Sequence, residues 1–219
     1  MSGALQAVFQ NQRSFGPPVP SGIGAAYGGG FYAGSIGDSG VATHYLIVAP
    51  KSSGESNGAA YANGFGTTGS SSNINGPANT ATLIALGASS YPAAKFCNDL
   101  VIGGFDDWYL PAINELKVCY VNLKPGTAAN NTGINSGVNP NSIPERTTAY
   151  GSGDPAQTSV SAFQSGGAET FEASGSYWGN EKSTSSYYRG YYISFYGGYR
   201  GDTTKTSSRR VRAVRRVAL

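Results

Sequence analysis

Apolar residues gather in a few short runs along this chain, with long polar stretches between them. GGGFYAG (residues 28–34) and HYLIVAPK (residues 44–51) have the length and the aromatic and β-branched content of strands, the second closed by a turn at Pro50. From Ser52 to Asn79 the chain is mostly Gly, Ser, Asn and Thr, which predicts a long loop. A helical period then sets in. YPAAKFCNDL (residues 91–100) has Pro92 near a first turn, with Phe96, Cys97 and Leu100 spaced for one face. LPAINELKVCYVNLK (residues 110–124) does the same more clearly. Pro111 opens it, Leu116, Cys119, Tyr120 and Leu123 fall at i, i+3, i+4 and i+7, and Pro125-Gly126 ends it. Residues 126–153 again read as loop, and short strand-like pieces follow to the C-terminus. There RRVRAVRRVA (residues 209–218) sets Val211, Ala213 and Arg215 on one face of a strand, and Arg210, Arg212 and Val214 on the other. Strands at both ends and two helices in the middle predict a single α+β domain over residues 21–219. Residues 1–20, ending in Pro17, Pro18 and Pro20, read as an arm or linker suited to docking a partner.

Composition sharpens this picture. Charged residues are 12% of the 219, about half the usual share, while there are 32 glycines and 15 tyrosines. Low charge argues against disorder driven by charge repulsion. The tyrosines argue for surface built for contact, since Tyr is stiff and amphipathic. Net charge is +3, with five arginines among the last eleven residues. The alternation of that run favours a strand, and no base-reading motif accompanies it, so no nucleic-acid partner is expected. Cys97 and Cys119 lie in apolar helical segments, which favours buried free thiols over the one disulfide they could form. No signal peptide and no run of transmembrane length is legible, so no membrane insertion is expected.

Enzyme chemistry finds little support in the residues. His44 is the one histidine and adjoins an apolar strand. GESNG (residues 54–58) fits G-x-S-x-G, and GFGTTG (residues 64–69) fits G-x-G-x-x-G, but neither has the strand and helix that give those patterns meaning. Asp106-Asp107 reads as a turn and cap, and no Cys/His set has metal spacing. No catalysis, no metal and no cofactor are expected.

Three segments carry a resemblance. They are GGFDDWYLPAINEL (residues 103–116), YWGNE (residues 177–181) followed by Phe195 and Gly198, and VRAVR (residues 211–215). In this order they resemble the bacterial and phage domain family named for the C-terminal part of a Legionella collagen-like adhesin. The resemblance covers the chain from about Tyr91 onward. It implies a C-type lectin-like fold with two helices, small antiparallel sheets and a loop-built binding face. Its framework residues Asp107, Trp108, Leu110, Pro111, Glu115 and Leu116 fit. Gly179-Asn180 stands where the family has Ser-Ser, and Tyr191 where it has Trp. Glu115 is expected early in its helix, within reach of a backbone donor or of Arg212 or Arg215. A relative among formylglycine-generating enzymes would need catalytic cysteines in a shared pocket.

SYYRGYYISFYGGYRGDTT (residues 186–204) holds six tyrosines and four glycines. All twenty-two residues at 183–204 can be reached from an AAC codon by changing adenines alone. This resembles the variable region, here about residues 177–209, of proteins diversified by a retroelement that miscopies adenines. Period-two alternation puts Tyr191, Ile193 and Phe195 on a core face and Tyr192, Ser194 and Tyr196 toward solvent. Asn180, Tyr187, Tyr188, Arg189, Tyr192, Ser194, Tyr196, Tyr199, Arg200 and Asp202 are therefore the expected ligand contacts, gathered on one surface. The function implied is a phage or prophage receptor-binding protein or adhesin at a tail-fibre tip or on a bacterial surface. Its partner would be a host-surface protein or glycan, with a tail-fibre or chaperone partner on the N-terminal arm and, by analogy, a homotrimeric state. A structural tail component whose tyrosines pack against other subunits is the alternative.

Overall fold

The computed structural model of the chain describes residues 18–134, 136–182 and 187–219. The elements run in chain order as β1 (Ala26–Tyr27), β2 (Gly30–Asp38), β3 (Val41–Val48), α1 (Lys51–Gly54), β4 (Glu55–Ala60), α2 (Gly76–Ala85), α3 (Pro92–Asn98) and α4 (Ile113–Leu123). They continue with β5 (Ser142–Ile143), β6 (Ser176–Glu181), β7 (Arg189–Ser194), β8 (Arg200–Thr204), β9 (Ser208–Arg212) and β10 (Val214–Ala218). The strands form two sheets. The first has the order β1-β2-β3-β10, with β5 also beside β2; the second has the order β4-β9-β6-β7-β8. All the strand pairs are antiparallel except β6–β9, which meets in parallel at Tyr177 and Arg210.

This architecture corrects the expected α+β C-type lectin-like domain. Strands take 31% of the chain and helices 19%, and the dominant feature is a curled antiparallel half-barrel. Two chain passages change sheets together. β3 leads through α1 into β4, and β9 leads through Ala213 into β10. At the crossing the Ala49 N–H donates to the Ala213 carbonyl and the Ala213 N–H to the Gly54 carbonyl, each at 3.0 Å. The tail read as one strand is thus two strands in two sheets. Its face assignment holds across the break: Val211 and Ala213 enter one apolar cluster and Val214 the other.

The expected loop at 52–79 contains α1, β4 and the start of α2. β4 is written ESNGAA, with almost no strand propensity, and forms because β9 offers it a ladder from Glu55↔Arg212 to Ala60↔Ser208. α2 is a third helix that the reading missed. Asn75 caps it, its side chain accepting the Ala78 N–H at 3.2 Å, and a proline sits in its first turn. α3 and α4 stand where they were expected. Pro111, however, lies outside α4, which starts at Ile113 behind the N-cap Ala112.

α4 carries the first cluster. Leu116, Cys119, Tyr120 and Leu123 are fully buried and meet Leu46 and Val48 of the first sheet and Tyr177, Ile193 and Phe195 of the second. Beneath β7 the Phe171 and Phe195 rings stack at 4.1 Å, with Tyr177 edge-on to both. The opposite face of the second sheet packs into the second cluster, where Trp178 and Trp108 meet Tyr61, Leu83 of α2 and Ala93, Ala94 and Cys97 of α3. Trp178 is fully buried and its Nε1 donates to the Ala59 carbonyl at 2.8 Å. Replacing Trp178 or Trp108 by Ala is expected to cost about 3–5 kcal/mol each. Urea unfolding checks this, and unchanged midpoints would contradict the placement of both rings.

Candidate functional site

The expected arm at 1–20 lies outside the described residues as far as residue 17, and so do residues 183–186 of the tyrosine-rich segment. From Tyr187 onward that segment is the β7–β8 hairpin at the outer edge of the second sheet. Alternation along β7 runs as predicted for Ile193 and Phe195, which are buried, while Tyr191 packs partly against the same cluster.

On that face the hairpin edge is an ion-pair ladder. Asp202 accepts from Lys182 at 3.0 Å and from the Arg189 Nε, and Arg189 also donates to the Asp202 carbonyl at 2.9 Å. These cations hold the Asp202 carboxyl below its usual range against the burial that opposes them. The Arg200 guanidinium lies 4.8 Å from the centroid of the Tyr191 ring. Arg189, Arg200 and Asp202, expected as ligand contacts, therefore brace the strand pair.

Tyr192 corrects the expectation of a solvent-facing ring. It is half-buried against the second cluster, with the Arg209 guanidinium 3.8 Å from its centroid. The ring lies across Gly201, where an added Cβ would come within 2.3 Å of it. Asn180 corrects the site more sharply. It is 1% exposed, its Oδ1 accepts the Ile113 N–H at 2.9 Å, and its Nδ2 donates to the carbonyls of Glu181 and Ser71. It joins β6 to the start of α4 and is no ligand contact.

The exposed rings fall into two groups instead of one surface. Tyr187 and Tyr188 precede β7, while Tyr196 and Tyr199 flank the β7–β8 turn; the six residues of β7 between them span roughly 17 Å. Tyr196 is the most exposed of the four at 65%, and Tyr188 the least at 38%.

At the first end sequence reasoning missed Phe65. Its exposed ring meets Tyr188 edge-on at 6.5 Å, and Tyr188 meets Tyr187 the same way at 5.3 Å. This grouping is fixed from below. The Gly66 N–H donates to the Tyr187 carbonyl and the Lys205 N–H to the Tyr188 carbonyl. Lys205 and Glu181 form a buried ion pair under them. Lys205 also donates to the Gly66 carbonyl at 2.6 Å, and Glu181 accepts the N–H and hydroxyl of Thr68. A hollow of about 340 Å³ lies beside Phe65 in the same loop. The G-x-G-x-x-G stretch is thus a strapped aromatic loop, and no pattern in GFGTTG announces its distant partners Glu181 and Lys205.

At the second end, Tyr192, Ser194, Tyr196 and Tyr199 line a groove of about 420 Å³ with Ser176 and the loop at 129–131. The loop is held to the turn by the Asn131 N–H, which donates to the Gly197 carbonyl at 2.8 Å. Gly198 has φ +70°, and a Cβ there would lie 2.4 Å from Tyr120, so the turn needs glycine.

Other expected groups have structural partners. Glu115 accepts the Ala112 N–H at 2.7 Å and binds Arg216 at 2.9 Å, not Arg212 or Arg215. Arg215 grips Asp107 through Nε and Nη2, and Arg210 reaches Glu55. Cys97 and Cys119 are unpaired and buried in different clusters; burial pushes both thiols up, that of Cys119 to about 12. His44 meets Thr43, and burial lowers its pKa. Among the described residues no group of His, Cys, Asp and Glu could hold a metal ion, and no helix is long and apolar enough to cross a membrane.

The chain matches no family model, no curated protein and no solved structure.

Two measurements test how the site is braced. Lys205→Met strands the Glu181 carboxylate and is expected to cost about 3–5 kcal/mol, with the double variant Lys205→Met/Glu181→Leu losing less than the two single changes together. Additive losses in urea unfolding would contradict the buried pair. Lys117 in α4 is nearly fully buried and donates to the Val138 carbonyl; burial, with repulsion from Arg200, lowers its pKa to about 8. Its folded pKa is below its unfolded value, so the unfolded chain binds the extra proton between about pH 8 and 10.5. Stability from this residue should therefore rise through that window, and Lys117→Met should remove the rise. Identical pH profiles for variant and wild type would refute it.

Proposed function

We propose that this chain is a binding protein that presents the two ends of the β7–β8 hairpin to a ligand on a bacterial surface, as a phage or prophage receptor-binding protein or adhesin does. The observation that carries the reading is the contrast along one segment: Tyr187, Tyr188, Tyr196 and Tyr199 are exposed, while Gly190, Ile193, Phe195 and Gly201 between and beside them are buried. Rigid, exposed aromatic side chains on a fixed backbone give contact area at low entropic cost, as in antibody paratopes.

The same contrast supports variation by miscopied adenines. Gly and Phe codons carry no adenine whose change alters the residue, and Gly190, Phe195, Gly198 and Gly201 are positions the packing locks. A Cβ on Gly190 would crowd Trp178 at 3.1 Å. Every Tyr codon contains an adenine. Ile193 is buried and its codon begins with one, but changing that base in ATC or ATT gives Phe, Leu or Val, all apolar. The three segments resembling the Legionella collagen-like adhesin domain meet in space, which favours kinship at the level of these motifs: Asn180 binds the Ile113 backbone, and Tyr109 pairs with Val214. A virion tail-fibre tip or a bacterial surface is the location this reading implies, with oligomerisation and a docking partner through the N-terminal arm.

Replacing Tyr187, Tyr188, Tyr196 and Tyr199 with Ser should abolish attachment to bacterial cells in a pull-down across a strain panel. The melting temperature should stay within a few degrees, since exposed substitutions change stability little. Tyr192→Ser should instead lower the melting temperature by removing the Arg209 stack. If the quadruple variant attaches like the wild type, the binding-face reading is wrong.

A further inference from the structure

We infer that the groove at the β7–β8 turn is a site for an uncharged carbohydrate, one or two sugar residues of a surface glycan. This rests on reading the hairpin as a binding face and names the ligand its turn end takes. The groove of about 420 Å³ falls in the roughly 300–1,000 Å³ range of small-ligand clefts. Tyr192, Tyr196 and Tyr199 supply rings, and Ser176, Ser194 and Asn131 supply hydroxyl and amide groups that donate and accept hydrogen bonds. A sugar has this same division, with C–H faces for a ring and hydroxyls for the polar groups.

Charge narrows the class. None of the lining residues carries a charge. The charged groups of the hairpin have partners outside the groove, Asp202 with Lys182 and Arg189 and the Arg200 guanidinium with Tyr191, while the Arg209 guanidinium of β9 is stacked on the Tyr192 ring. A carboxylate or phosphate entering the groove would lose water and find no cation among the lining residues, with Arg209 already held against the Tyr192 ring. The lining is also set in advance. Ser176 and Ser194 are direct partners in the β6–β7 ladder, and Asn130 beside the groove is fixed by Tyr120 and by the carbonyls of Gly151 and Pro155. A preformed site lowers the entropic cost of binding a flexible sugar.

The test uses the full chain on an array of neutral and anionic bacterial glycans. Saturation-transfer NMR follows with the methyl glycosides of glucose, galactose, mannose and N-acetylglucosamine. Binding to at least one neutral glycan is expected, with transfer to the sugar C–H protons. Tyr196→Ser/Tyr199→Ser and Ser176→Asp, each checked for an unchanged melting temperature, should weaken it at least tenfold, while the remote exposed change Val101→Ser leaves it unaltered. Binding to anionic glycans alone, no glycan binding, or neutral-glycan binding untouched by the two groove variants overturns the assignment. The two readings separate on cells. Attachment that survives periodate oxidation of the cells but not protease treatment removes the sugar and keeps the binding face. Attachment by the quadruple tyrosine variant removes the face itself.

Discussion

Arg212 is the constraint on which the two sheets depend. It stands at the last position of β9, where the chain leaves one sheet for the other, and its side chain is fully buried. Its Nε donates to the Ala49 carbonyl at 2.7 Å, its Nη1 to Glu55 at 2.9 Å and its Nη2 to Glu169 at 3.0 Å. Glu169 in turn accepts the Lys51 N–H at 2.7 Å. One guanidinium therefore ties the end of β3, the start of β4 and a distant loop to the crossing. A buried charge is tolerated only when its partners and hydrogen bonds are complete. The planar fork of Arg meets this geometry, which a lysine could not.

Because the crossing is fixed, the outer edge of the second sheet is free to carry a surface of another character. β7 is held by the Phe171, Phe195 and Tyr177 rings beneath it and by the Asp202 ladder that ties it to β8. Its two ends are strapped separately, one by Lys205 and Glu181, the other by the loop at 129–131. Side chains at those ends can change without moving the backbone that presents them. This separation of framework from surface lies within one short segment, where an added Cβ at Gly190, Gly198 or Gly201 would press on Trp178, Tyr120 or Tyr192.

Much of the framework was legible in the sequence because it is local. The spacing of Leu116, Cys119, Tyr120 and Leu123 gave α4 its buried stripe, and the alternation of Val211, Ala213 and Val214 gave the tail its two faces. Three things were hidden for one reason. β4 takes its strand from β9 and not from its own residues. The tail changes sheet at Ala213 because of hydrogen bonds to Ala49 and Gly54, far off in the chain. Asn180 looked like a departure from a motif on a binding surface, yet its amide is the link between β6 and α4. In each case the deciding partner lies more than forty residues away, beyond what periodicity or spacing can report. Phe65 follows the same rule, its loop strapped by Thr68 to Glu181.

The scarcity of charge and the abundance of tyrosine have one explanation. The acidic side chains of Glu55, Asp107, Glu115, Glu169 and Glu181 all meet Arg or Lys, and four of these five pairs join the C-terminal run to distant segments within the fold. Charges paired in this way serve as internal ties and cancel within the net charge of +3. What the exposed residues of the β7–β8 turn present is ring, hydroxyl and amide, so on the proposed reading recognition there depends on shape and short-range contact and not on electrostatic steering, which acts at long range and weakens with salt. A surface of this kind can change its ligand by exchanging one uncharged contact for another. It never disturbs the buried ion pairs, and those pairs are what keep it in place.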